Sequence, residues 1–184
     1  PVRLLEKTPK NSLRIPFLAK LFPQARFVFL HRGVRETLSS MIEAWRSGRF
    51  ATYKALPGWH GELPWSLLLT PGWRELNGKA LPQIVAAQWE VATRMLLDDL
   101  AAIPRERITI ARYDSLLSNP MGEIAHLCEA LDFAWDRTLD KLPLSRYTLT
   151  PPDPDKWKRH EAEIMAVLPA IAATAERAEK FAAR

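Results

Sequence analysis

Glu6-Lys7, Arg32, Ser40, Tyr113, Ser145 and Lys156 are the side chains whose types and spacing could carry chemistry. An adjacent carboxylate and ammonium offer a proton acceptor beside a cation that can steady developing negative charge. Arg32, followed eight positions later by Ser40, suits a phosphate group. The guanidinium donates paired, charge-assisted hydrogen bonds and the hydroxyl adds a neutral one. The same spacings also fit plainer structures. Glu6-Lys7 reads equally as a surface ion pair, and Arg32 as a partner of Glu36 or Glu43 beside a surface serine. Tyr113 could present its ring to a ligand or sit half-buried at a corner of the chain. Histidines 31, 60, 126 and 160 include no pair at the i, i+4 spacing of a helical metal site, and Cys128 is the one cysteine. No metal is expected on these residues.

These residues need elements to position them, and the hydrophobic pattern supplies an alternating series. Val2–Lys7 reads as a short strand, and a helix runs from Asn11 or Ser12 to Phe22, stopped by Pro23. Arg26–His31 is a continuous run of β-branched and aromatic residues, the pattern of a strand buried on both faces. A helix over Arg35–Arg46 follows. Residues 47–80 hold Trp59, Trp65 and Trp73 among prolines and glycines, an irregular insertion expected to cover a substrate. A long helix over Ile84–Ile103 leads to a strand at Ile108–Arg112 and a helix at Met121–Leu131. A further helix starts near Asp155, with Trp157 turned to the core, and an Ala-rich terminal helix spans Pro169–Arg184. This order predicts an α/β fold: a parallel sheet flanked by helices. Ligands in such sheets bind beyond the carboxyl ends of the strands. Those ends are Glu6-Lys7-Thr8, His31-Arg32-Gly33 and Arg112-Tyr113-Asp114, so the reactive residues are expected to converge on one crevice.

Length and composition bound the function. With 184 residues, 47% of them hydrophobic, residues 1–184 are expected to form a single domain. The net charge of +5 favours anionic ligands. Its basic residues are scattered among carboxylates, which argues against nucleic acid as a partner. No stretch approaches the roughly 20 apolar residues of a membrane span, and a lone cysteine suits a reducing, cytoplasmic setting. The seven glycines stand apart, so neither phosphate-loop motif, G-x-x-x-x-G-K-[ST] or G-x-G-x-x-G, occurs. Oligomeric state is not legible.

Four segments together resemble the sulfotransferases that use 3′-phosphoadenosine 5′-phosphosulfate. FPQARFVFLHRGVRETLSS resembles the family's 3′-phosphate-binding segment, with Arg32 and Ser40 in the phosphate-contacting places. ITIARYDSLLSNP is similar to its Tyr-Glu-Asp-Leu segment, which gives Tyr113 an adenine-contacting role. EKTPKN resembles the strand end with the catalytic pair, Glu6 preceding Lys7 as in glycan-modifying members. SRYTLTPPDPDKWKRH is similar to the C-terminal portion of bacterial and tyrosylprotein-type members, which places Ser145 and Lys156 on the donor, with Arg146 an alternative to either.

The resemblance implies a P-loop NTPase-like fold, incomplete at its N-terminus because the 5′-phosphosulfate loop would come earlier in the chain. It also implies in-line sulfuryl transfer to a hydroxyl or amine, with Glu6 as base, Lys7 steadying the sulfate or orienting Glu6, and adenosine 3′,5′-bisphosphate as product. A glycan, a peptide tyrosine, a lipid or a small metabolite would each serve as acceptor. A non-catalytic nucleotide-binding domain of the same fold and a P-loop kinase fragment are the alternatives.

Overall fold

A computed structural model describes residues 3–135 and 143–183. Helix α1 (Ile15–Leu21) follows a 3-10 turn at Pro9–Leu13. Strand β1 (Phe27–His31) leads through Gly33 into α2 (Val34–Ser47), which ends on Gly48 at φ 65°. That left-handed cap is a conformation glycine adopts without a side-chain penalty. The short strands β2 (Ala51–Tyr53) and β3 (Trp65–Ser66) precede α3 (Leu81–Ala101). At the start of α3, Pro82 occupies the first turn and the Ala80 amide donates to Gln83 Oε1 at 3.2 Å. Strand β4 (Ile108–Arg112), helices α4 (Tyr113–Ser118) and α5 (Pro120–Ala130), a 3-10 turn at Lys156–His160 and α6 (Glu161–Ala182) complete the chain.

Strands β1 and β4 pair in parallel, with Phe27 opposite Ile108 and His31 opposite Arg112. Helices α3 and α6 cross behind them and contribute to two cores. One core gathers Leu38, Ile42 and Trp45 of α2 with Trp65, Val85, Trp89 and Ile164. The other sets Phe29 and Ile108 of the sheet against Ile15, Leu97, Leu100, Ala178 and Phe181. A mixed α/β architecture with a small parallel sheet flanked by helices is therefore what the sequence folds into.

Several element expectations need correction. Residues 3–8 form no strand; Leu4 and Leu5 are 86% and 84% exposed, and Val2 lies outside the described residues. Glu6 and Lys7 thus do not end a strand, and the described parallel sheet has two strands, not three. A short apolar stretch makes a strand only where a neighbour takes up its backbone groups, and no strand among the described residues pairs with this one. Strand β1 is buried on one face alone: Phe29 and His31 are covered, whereas Val28 and Leu30 are exposed. The predicted terminal helix starts earlier, at Glu161, and runs through Pro169; its expected last residue, Arg184, is not described.

Segment 47–80 is less irregular than its composition suggests. β2 and β3 pair antiparallel, and Trp65, fully buried, meets Trp45, Trp59 and Trp73 edge-on at centroid distances of 5.4, 4.9 and 6.0 Å. Such edge-to-face contacts add to the area buried by each ring. Gln88 of α3 anchors the segment. Its Oε1 accepts from Trp45 Nε1 at 3.1 Å, and its Nε2 donates to the carbonyls of Ser66 (3.0 Å) and Leu68. These tryptophans serve first as packing; a shallow groove of about 360 Å³, which none of them lines, lies between Lys10, Leu13 and Arg14 on one side and Thr52, Tyr53 and Leu69 of this segment on the other.

Candidate active site

Arg32 and Tyr113 meet because of the strand register. With His31 opposite Arg112, they are the first residues past the paired ends of β1 and β4. The Arg32 guanidinium carbon stands 4.6 Å from the centre of the Tyr113 ring, a cation–π geometry. Its Nη2 donates to Ser40 Oγ at 3.0 Å. Because α2 opens at Val34, Ser40 lies about two turns, roughly 9 Å, along the helix. The arginine side chain and its 3.0 Å hydrogen bond to Ser40 together bridge that distance.

No carboxylate claims this guanidinium among the described residues. Glu36 folds its carboxylate back over Gly33. Glu43 instead receives Lys156 Nζ at 2.7 Å and Thr150 Oγ1 at 3.0 Å on the same oxygen. The Arg32 Nε is buried and has no hydrogen-bond partner. A buried N–H donor without an acceptor is costly, so a site that gathers this donor with a hydroxyl and an aromatic face is suited to an anion.

Lys156 reaches the same helix one turn further on, since Ser40 and Glu43 are three residues apart on α2. It opens the Lys156–His160 turn, where Trp157 packs against the tryptophan-rich core and lies 5.0 Å from the Arg35 guanidinium. The Glu43 carboxyl is pulled two ways. Burial pushes its pKa up, but hydrogen bonds from Lys156 and Thr150 and the charges of Lys156 and His160 bring it below the ordinary 4.5. A second tie follows: Arg46 donates to Glu163 at 2.6 and 3.2 Å and approaches His160 Nδ1 at 3.2 Å.

The remaining candidates stand apart. Glu6 is exposed and accepts a hydrogen bond from Asn11 Nδ2; Lys7 is exposed and forms no ion pair among the described residues. Ser145 is exposed in a turn, where its Oγ accepts the Tyr147 amide at 3.2 Å. Arg146, the alternative to Ser145 or Lys156, donates to the Tyr147 hydroxyl at 2.7 Å. The structure brings together Arg32, Ser40 and Tyr113, places Lys156 a turn away, and leaves Glu6, Lys7 and Ser145 without contacts to that group.

Sequence reasoning missed the part played by Glu43 and Thr150. Glu43 was in view only as a partner for Arg32, and 107 positions separate it from Thr150. The one local signal is its place a turn beyond Ser40. Among the described residues no group of three His, Cys, Asp or Glu side chains could hold a metal ion, and no helix is long and apolar enough to cross a membrane.

No curated protein and no solved structure matches the chain. A family model described as the sulfotransferase family matches residues 2–137, a span that includes Glu6, Lys7, Arg32, Ser40 and Tyr113 and stops short of Ser145 and Lys156. That match covers well over half of the sequence: the chain belongs to the sulfotransferase family.

Proposed function

We propose that this protein transfers a sulfuryl group from 3′-phosphoadenosine 5′-phosphosulfate to a hydroxyl or amine, in a P-loop-like α/β domain. The observation that carries the reading is the Arg32 guanidinium, braced by Ser40 and by the Tyr113 ring and free of any carboxylate among the described residues. Such a cation is held in place before its anion arrives, which lowers the ordering cost of binding. Arg32 and Ser40 would grip the 3′-phosphate, Tyr113 would border the adenine, and Lys156 and Ser145 would approach from the C-terminal segment.

The donor supplies an activated sulfuryl group whose bridging S–O bond breaks as the acceptor's bond to sulfur forms. Glu6 would take the acceptor's proton, and Lys7 would offset the charge on the sulfate oxygens or orient Glu6. Asn11 ties Glu6 to the 3-10 turn whose Lys10 and Leu13 border the groove beside segment 47–80. That groove is the place proposed for the acceptor, with segment 47–80 as its cover. A second reading, a nucleotide-binding domain that does not turn over, draws on one observation: Glu6 contacts Asn11 and not the Arg32 group.

Calorimetric titration with adenosine 3′,5′-bisphosphate, AMP and ATP tests the donor assignment. The bisphosphate should bind best, and Arg32→Ala should remove that preference at a cost of about 1.5–3 kcal/mol, the range for hydrogen bonds to a charged group. Equal affinity for AMP would favour the kinase alternative. Tight bisphosphate binding with no sulfate transfer to glycan, phenol or amine acceptors would favour the non-catalytic reading.

A further inference from the structure

We infer that Glu43 is a positioning residue that holds the Lys156 ammonium in reserve, and that donor binding requires Lys156 to exchange this carboxylate for an anionic group of the nucleotide. The inference rests on the donor reading above and adds a residue to which no role has been given.

The geometry shows why the pair is more than a fastening. Lys156 and Glu43 lie 2.7 Å apart with side chains 11% and 15% exposed, so both charges are largely withdrawn from water. A pair so placed loses hydration that its mutual attraction only partly returns. The C-terminal segment does not need it to stay on α2. Trp157 is packed against the core, Arg35 lies across its ring, and Arg46 holds Glu163 through two hydrogen bonds a turn beyond Glu43. With these in place, the Glu43–Lys156 contact can open while the segment remains docked.

Its position gives that opening a consequence. Glu43 is three residues from Ser40, on the side of α2 that also meets Arg32. Glu43 therefore repels an anion arriving at Arg32 and Ser40, and it also neutralises Lys156, the cation that meets α2 one turn beyond Ser40. Thr150 donates to the same Glu43 oxygen at 3.0 Å, leaving the carboxylate with a partner once Lys156 turns away. An unpaired buried carboxylate would resist the exchange; a hydroxyl already in contact lessens that cost.

The test is a double-mutant cycle read by calorimetric titration with adenosine 3′,5′-bisphosphate. Glu43→Gln should bind about 10-fold more tightly than the unaltered protein, because the competent ammonium is no longer sequestered. Lys156→Gln should bind more weakly, and adding Glu43→Gln to it should bring no gain. Glu43→Asp, which keeps the charge, should restore the starting affinity. A merely structural pair predicts no gain: Glu43→Gln would weaken binding, or leave it unchanged. A measurement on the unaltered protein stands if the variant fails to fold: the Glu43 carboxyl carbon resonance should shift on saturation with the bisphosphate, and no shift overturns the exchange. Equal binding by the unaltered protein and Glu43→Gln overturns the exchange alone. No bisphosphate binding by either overturns the donor reading, and the exchange with it.

Discussion

Arg32 owes its usefulness to two neighbours that act differently. Ser40 fixes one end of the guanidinium by a hydrogen bond, whereas Tyr113 contributes the face of its ring. The pair Arg32 and Ser40 was legible in the sequence because one helix start, at Val34, sets their separation. The contact of Arg32 with Tyr113 was not, since it depends on the register between strands some eighty residues apart. That contact also recasts the tyrosine: its ring is partly engaged by the cation, so its hydroxyl is not the group that matters to Arg32. Tyr113→Phe should keep bisphosphate affinity within about 2-fold, while Tyr113→Ala should weaken it by about 0.5–2 kcal/mol, the span of cation–π contributions. Isothermal titration checks both. A large loss in the phenylalanine variant would assign the hydroxyl a direct contact with the ligand.

At the scale of elements, the C-terminal strap from Thr150 to Glu163 binds α2 through charge as much as through packing. Arg46 holds the Glu163 carboxyl below its ordinary 4.5, chiefly by hydrogen bonding, with burial opposing and His160 assisting. A carboxyl depressed in the folded state gives stability that is complete above its unfolded value and disappears as pH falls through the folded one. Glu163→Gln should therefore lower stability at pH 7 by about 0.2–1 kcal/mol, given how exposed Arg46 is. The difference from the unaltered protein should vanish as pH drops well below 4.5. Thermal unfolding of both proteins from pH 7 to pH 3 measures it, and a gap that persists at low pH would contradict the assignment. Neither the Glu43–Thr150 nor the Arg46–Glu163 contact was legible, because the partners stand 107 and 117 positions apart. Local pattern fared better where an element is self-contained. Strand β4 matches its expected bounds, and α2, α3 and α5 differ from theirs only at the ends. The proposed strand at residues 2–7 failed because a strand is completed by a neighbour, not by its own sequence. Strand β1 was legible as a strand yet misread in burial: alternate coverage of Phe29 and exposure of Leu30 depends on which face helices α3 and α6 take.

The whole molecule is joined by those two helices. α3 places Val85 and Trp89 in the tryptophan-rich core and Leu97 and Leu100 in the sheet core; α6 does the same with Ile164 and Ala178. Because each helix is continuous through both cores, loss of packing in one removes support from the other, and unfolding should be a single transition. The distribution of tryptophan makes this measurable. Trp45, Trp65, Trp73 and Trp89 are buried in the first core, whereas the second contains none among its described members. Trp59 and Trp157 pack against that core too, and Trp135 alone stands outside it, exposed, so tryptophan emission reports chiefly the first core while far-ultraviolet circular dichroism reports helices throughout. Leu97→Ala, in the core without tryptophan, should destabilise the protein by about 2–5 kcal/mol, the usual cost of emptying a buried leucine site. Its emission and dichroism midpoints should move down together. If emission keeps its original midpoint while the dichroism signal falls early, the cores unfold separately and the long helices do not couple them. Coincident midpoints would mean that the Arg32 group at the sheet end and the strap on α2 share one cooperative frame, so damage to either core would reach the Arg32 site.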